Sequence, residues 1–424
     1  MKTKILIIGL MISSAQSYSK DINISLNEAL ELAKTRNESV EITNYQLEEA
    51  TTSLKKAYSG LYPSITLDAK AGKTKQDPGL NGGGITSDNY QQLATVTLAQ
   101  PIYTFGRLSG AIDAAKAQGK FAQTLKTSTF GDIELTVKKL FLTSIFYKRQ
   151  YEISKESYEN ALENQKALKK RVSYGRISQD ENLKMKADIA SRKPLMIEAQ
   201  KVYESSISEL KNFLNIDDAD TLLLSGSLET PTDLSHKKSI EYSELVKVKL
   251  LKYQFDVQKN LEDIESANYL PTLSFFASYG QSALFENVQE DHYLDQTNTS
   301  VGLNLTMSFS LGGEEYYDRQ VSRIKTKIKK LELDQGEREL RYALKSLYDQ
   351  GHRLNEKKES LSEAVSLAKS SYQVALNSFA NGSISQTQLN DRELLLTNNK
   401  IAYAQNLLQI QLVNAQIKNI EITK

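Results

Sequence analysis

Cysteine is absent from the 424 residues. That excludes a disulfide, a thiolate metal site and a cysteine nucleophile, and with them the lipid-anchored cysteine of many bacterial envelope proteins. An excess of either charge is also missing: 53 Lys and Arg face 52 Asp and Glu, for a net charge of +1. A nucleic-acid binder would carry a basic stripe, so no nucleic-acid partner is expected. Histidine is reduced to His236, His292 and His352, far apart in sequence. No zinc spacing, phosphate-binding glycine loop or nucleophile motif accompanies them, so neither enzymatic chemistry nor a cofactor or metal is expected. After the N-terminus no apolar run reaches the ~20 residues of a membrane helix. Any membrane crossing is left to strands.

Proline is missing from two long stretches, and these organise the chain. Gly313 to Asn381 is a proline-free run of 69 residues. Along it Leu340, Leu344, Leu347, Leu354, Leu361, Val365, Ala368, Tyr372, Ala375 and Phe379 recur at steps of three and four, with Gly351 and Lys358 holding unfilled positions. A 3.5-residue period marks helices packed as a coiled coil. At ~1.5 Å per residue such a helix spans roughly 104 Å, so it reads as a strut, with Gly336 and Gly351 its candidate breaks. Gly106 to Tyr174 is a second proline-free run of the same length, seamed by Ile133, Val137, Leu140, Tyr147, Tyr151, Tyr158, Ala161, Leu168 and Val172.

The rest of the chain falls into place around these struts. Lys2 and Lys4 before the apolar Ile5 to Ile12 and the small residues after it read as a signal peptide, residues 1–17. Ser25 and Glu28 form a capping box that starts a helix, and Asn37 starts another that runs to about Gly60. The period then switches to two. Ile65, Leu67, Ala69 and Ala71 alternate with Thr66, Asp68 and Lys70. Four strands are expected, over residues 63–74, 92–104, 271–281 and 300–311, the last reaching through Phe309 to Leu311. The helix returning from Ser178 to Asn215 contains Pro194, an expected kink. Residues 221–238 read as a connector.

The chain is also duplicated. LYPSITLDAKAG at Leu61 to Gly72 matches YLPTLSFFASYG at Tyr269 to Gly280, and Gly175-Arg-Ile-Ser-Gln matches Gly382-Ser-Ile-Ser-Gln, at a nearly constant shift. The first repeat spans 18–220 and the second 239–424, each ending in a long helical hairpin, with tips near 175 and 382.

The strands are ~9–12 residues long, enough to cross a membrane when tilted. Lipid solvates no free backbone groups, so a spanning sheet must close on itself. The smallest membrane barrels have ~8 strands. Four strands must therefore be pooled between copies, two copies giving eight and three giving twelve. Segments 37–60 with 176–214, and 238–268 with 384–422, each approximate one strut in length, so each copy offers four helical staves. The expected fold is mainly α with a four-stranded transmembrane β contribution, its duplicated coiled coils forming an α-barrel continuous with a β-barrel. Tyr62, Tyr90, Tyr103, Phe105, Tyr269 and Tyr279 near strand ends fit an interfacial aromatic belt.

In this order and spacing the chain resembles the TolC family of outer-membrane efflux proteins. The resemblance rests on the signal, SLNEALELA, the Tyr62-Pro63 turn, QPIYTFGR at Gln100 to Arg107, the tips YGRISQDENL and NGSISQTQLN, and the duplication. It implies a homotrimer in the outer membrane, a twelve-stranded barrel, and a helical tunnel projecting into the periplasm. It also implies a periplasmic adaptor and an inner-membrane transporter as partners, with drugs, small molecules or type I-secreted polypeptides as cargo. It places adaptor docking and the closed periplasmic mouth at the tips: Tyr174, Gly175, Arg176, Ile177 and Ser178 in the first, and Asn381, Gly382, Ser383, Ile384 and Ser385 in the second. Asp180, Glu181, Gln388 and Asp391 are the candidates for a pore constriction. The family often has an acidic residue where Gln388 stands, and no arginine here matches its gate-locking partner in the second tip. The competing reading is a periplasmic coiled-coil adaptor or a trimeric envelope stalk. An adaptor needs a small β-domain between its helices, and two-strand hairpins leave no room for one.

Overall fold

The computed structural model describes residues 21–76, 87–172, 179–229, 241–285, 296–308 and 310–423. The signal segment 1–17 and the first tip, Tyr174 to Ser178, lie outside them. The elements in order are β1 (Asp21–Ser25), α1 (Leu26–Arg36), α2 (Glu38–Ser59), β2 (Ser64–Gln76), β3 (Ser87–Tyr103), α3 (Arg107–Val172), α4 (Gln179–Phe213), β4 (Thr221–Ser225), α5 (Val246–Ala267), β5 (Thr272–Phe285), β6 (Gln296–Thr306), α6 (Glu314–Ala380) and α7 (Gln386–Ile420). Two compact units result, and both take segments from both repeats: residues 1–41, 128–240 and 340–422 in one, 42–127 and 241–339 in the other.

In the first unit the core is built where α3 is apolar on more than one face. Ile133, Val137, Phe141, Leu142, Ile145 and Phe146 pack with Ala29, Ala33, Leu210, Leu214, Leu407 and Leu408. Ser25 caps α1 as its sequence demands: Glu28 N–H donates to Ser25 Oγ at 3.4 Å, and Ser25 N–H donates to Glu28 Oε2 at 2.7 Å. The connector is partly structured. Its residues Thr221–Ser225 form β4, which pairs in parallel with β1 from Asp21↔Thr221 to Ser25↔Ser225. Leu222 and Leu224 turn into the core while Leu223 faces outward. The coiled-coil seams face inward: Leu344, Leu354, Ala368, Tyr372 and Ala375 of α6 are buried, as are Ile133, Val137 and Ala161 of α3. α4 runs unbroken through Pro194.

In the second unit β2, β3, β5 and β6 form one antiparallel sheet in that order. The register sorts the side chains by face. Ile65 stands opposite Leu98, and Leu67 opposite Val96. Val96 stands opposite Tyr279 and Leu98 opposite Ala277. Phe275 and Ala277 stand opposite Leu303 and Val301. These residues share one apolar face across all four strands. The other face carries Thr66, Asp68, Lys70, Thr95, Thr97, Ser278, Ser300 and Asn304, with Leu93 and Phe276 among its large apolar residues. The apolar face is no core: Ile65 and Leu67 are each 72% exposed and Leu303 is 64% exposed.

The strand limits differ from expectation at both ends. β6 starts earlier, at Gln296, and stops at Thr306, five residues before Leu311 although the apolar alternation continues. Its partner β5 starts only at Thr272, after Pro271, so the ladder runs out at Thr272↔Thr306. Ser310 then turns the chain into α6: its N–H donates to Glu315 Oε1 at 2.8 Å and its hydroxyl accepts from Glu314 N–H at 2.9 Å. Phe309 lies outside the described residues. α6 has no break at Gly336 or Gly351. A Cβ on Gly336 would lie 2.2 Å from Leu251 Cδ1, so this glycine admits a close approach of α5 rather than ending a helix. Of the expected belt, Tyr62, Tyr103 and Tyr279 are exposed, whereas the Tyr269 hydroxyl is buried.

Candidate functional site

The second tip is closed by its own sequence. Gly382 takes the left-handed conformation, φ +76°. Its N–H donates to Phe379 O at 3.0 Å, and Ser383 N–H donates to Ser378 O at 2.9 Å. These bonds satisfy carbonyls that the end of α6 leaves open. Ser385 starts α7 with a second capping box: Gln388 N–H donates to Ser385 Oγ at 3.3 Å, and Ser385 N–H donates to Gln388 Oε1 at 2.9 Å. Ile384 and Phe379 pack on buried Ala368, Tyr372, Ala375, Leu389 and Leu396. Asn381, Gly382 and Ser383 remain exposed at the turn.

The constriction candidates separate. Gln388 and Asp391 share a groove of about 560 Å³ between α6 and α7, with Ser370, Ser371, Val374 and Arg392. The carbonyl of Gln388 is engaged in the helix cap. Asp391 is exposed and also borders a groove of about 850 Å³ between α3, α4 and α7. Asp180 and Glu181 line neither groove. They occupy the first turn of α4, where the helix dipole favours an acid, and Asp180 pairs with Lys184 Nζ at 2.7 Å.

A buried charge cluster, not anticipated from the sequence, joins the returning helices of the two hairpins. Arg192 of α4 donates from Nη1 to Glu393 Oε2 of α7 at 2.8 Å, and to Ser157 Oγ and O of α3 at 2.9 and 3.0 Å. Its Nε lies 2.9 Å from Asp188 Oδ2. The Arg192 side chain is 12% exposed and that of Glu393 3%. Higher on α7, Lys400 reaches both oxygens of Glu156 at 3.0 and 2.9 Å. A signal was present: Glu393 and Lys400 continue the apolar spacing of Leu389 and Leu396, so charges occupy seam positions. Burial pushes the Glu393 carboxyl up from its ordinary value, and the Arg192 guanidinium pulls it partly back.

Tyr372 lies beside this cluster, and burial, with the charge of Glu393, pushes its phenol up to about 12. A phenol raised above its unfolded value of 10.0 gives stability that is whole below pH 10 and is lost as pH rises through 12. Tyr372→Phe is expected to remove about 2–3 kcal/mol of that alkaline loss. Denaturant midpoints of both proteins between pH 9 and 12 check this; parallel curves would refute it.

Residues 29–215 match the sequence profile described as outer membrane efflux protein. The first repeat belongs to the outer membrane efflux protein family. The family is one of the outer membrane, and its members are channel proteins rather than enzymes. The CmeC outer membrane channel of Campylobacter jejuni is similar at 15% identity and a TM-score of 0.82, over 93% of this chain and 85% of that one. The outer membrane protein VceC of Vibrio cholerae is similar at 14% identity and 0.78, over 93% and 96%. The open state of the MtrE outer membrane channel of Neisseria gonorrhoeae is similar at 15% identity and 0.76, over 93% and 88%. At these identities the likeness is one of fold, and it extends over both repeats of the chain. No curated protein sequence is significantly similar.

Proposed function

We propose that this efflux-family chain is a homotrimeric outer-membrane exit duct, conducting drugs or small toxic molecules passively from the periplasm to the outside. One observation carries the reading: an open four-stranded sheet with a continuous, exposed apolar face. Such a face suits lipid, and lipid requires every backbone group to be paired. β2 and β6 end the row, each with a single neighbouring strand among the described residues. Joining copies through these strands satisfies both, and three copies supply twelve strands, within the range of closed membrane barrels. The threonines, serines and Asn304 of the opposite face then line water.

In this reading the helices form the periplasmic tunnel. The adaptor docks on Tyr174 to Ser178 and Asn381 to Ser385, and an inner-membrane transporter supplies the cargo. Asp391, with Asp180 and Glu181, supplies acid near the mouth. The test has two arms. Outer-membrane extracts should yield a heat-modifiable trimer, and a strain lacking the chain should become drug-sensitive while polypeptide secretion is unchanged. A water-soluble monomer would remove the duct. Lost secretion with unchanged drug sensitivity would change the cargo to polypeptides.

A further inference from the structure

The sheet order decides which helices meet when copies join. α2 ends at Ser59, just before edge strand β2, and α6 opens at Glu314, just after edge strand β6. A copy that lays its β2 against this copy's β6 brings its own α2 beside this copy's α6. One helix runs toward the sheet and the other away from it, so the pair is antiparallel.

The two helices carry exposed faces that match. On α6, Tyr317, Val321, Ile324, Ile328 and Leu331 recur at steps of four and three and are 48–67% exposed. That spacing is a coiled-coil seam. It is distinct from the face α6 turns to α5, where Ser322 meets Gln258 and Gly336 meets Leu251. On α2, Ile42 and Tyr45 are 56% and 61% exposed, and Glu48 and Glu49 follow them on the surface. From Arg319 to Lys330 α6 carries six cations and no acid; from Ile42 to Leu54 α2 carries two acids and no cation. Lys329 and Lys330 are ion-paired to Glu332 and Asp334 of their own helix. Arg323, Lys325 and Lys327 flank the seam.

Depth agrees with charge. Counted from the ends nearest the sheet, Ser59 and Glu314, Ile42 and Leu331 are both 17 residues deep, Tyr45 and Ile328 both 14, and Glu48 and Lys325 both 11. We propose that α6 of one copy and α2 of the next form the inter-subunit contact, with Leu331 and Ile328 on Ile42 and Tyr45, and Arg323, Lys325 and Lys327 facing Glu48 and Glu49. The contact is head-to-tail and closes as a ring, and its charges select the register as well as the partner. The inference rests on the proposed duct, because it takes copies to join through β2 and β6.

The absence of cysteine gives a clean test. Full-length protein with Ile42→Cys and Leu331→Cys together, oxidised in outer-membrane extracts, should run as covalently linked dimers and trimers. Each single variant should not. Separately, Lys325→Glu with Lys327→Glu should lower the trimer fraction in detergent by on the order of tenfold at low salt, with the loss shrinking as salt screens the charges. Adding Glu48→Lys and Glu49→Lys should restore it. A trimeric wild type with no inter-copy cross-link, or with reversals that leave the trimer unmoved, overturns this contact and leaves the duct standing. A monomeric wild type overturns both.

Discussion

Replacing Leu67 and Leu303 together by arginine is expected to stop the chain from accumulating as a stable outer-membrane oligomer. Replacing Thr66 and Asn304 by arginine is expected to leave assembly intact. The two pairs lie on the same strands, one residue apart, and differ only in face. Leu67 stands opposite Val96 and Leu303 opposite Phe275, on the apolar side. Thr66 stands opposite Thr97 and Asn304 opposite Ser274, on the other. An arginine on a lipid-facing strand position costs ~2–4 kcal/mol near the bilayer midplane, while a lumen position tolerates it. Two such changes in each copy therefore remove a free energy comparable with the ~5–15 kcal/mol that holds a typical domain folded. The yield of heat-modifiable oligomer in outer-membrane fractions measures the effect. Equal damage from both pairs would mean that neither face meets lipid, and the duct would lose its main support.

The features readable in the sequence were those set by neighbouring residues. The capping box at Ser25 and Glu28, the left-handed close at Gly382 and the two-residue alternation of β2 and β6 each need only a few adjacent side chains. The seam from Leu340 to Phe379 is longer but repeats one rule, so its inward face was legible too. What escaped depends on partners far along the chain. β4 is five residues long, and it is a strand because β1, some two hundred residues earlier, lies beside it. β6 ends early because Pro271 starts its partner late, which the continuing alternation through Leu311 conceals. The Gln388 side chain is the local exception: it serves the cap of Ser385 only three residues away, a Ser-x-x-Gln spacing as readable as that of Ser25 and Glu28. Gly336 reads as a candidate break, yet it lies within α6, where a Cβ would run into Leu251. Arg192 carried no local sign of its role, because its partner Glu393 belongs to the other repeat.

That pair supports the second large effect. Glu393→Ala is expected to destabilise the helical unit by about 3–5 kcal/mol, since it leaves a buried guanidinium without its nearest counter-charge. Asp188 and Ser157 remain within reach of Arg192, which places the loss toward the lower end. Replacing both partners, Arg192→Met with Glu393→Leu, should recover most of it, because two apolar side chains of similar volume are as well suited to a buried position as an ion pair. The recovery distinguishes a desolvation cost from a requirement for the bond itself. The same burial that penalises the unpaired arginine also raises the Glu393 carboxyl above its ordinary value of 4.5. A carboxyl raised on folding gives stability that is whole below 4.5 and declines as pH climbs through the folded value. Relative to Glu393→Gln, the wild type should therefore lose stability as pH is raised from 4.5, read as the difference between their denaturant midpoints. A double variant no more stable than Glu393→Ala would mean that the contact acts through its hydrogen-bond geometry, holding α4 to α7 in a way that no apolar pair reproduces.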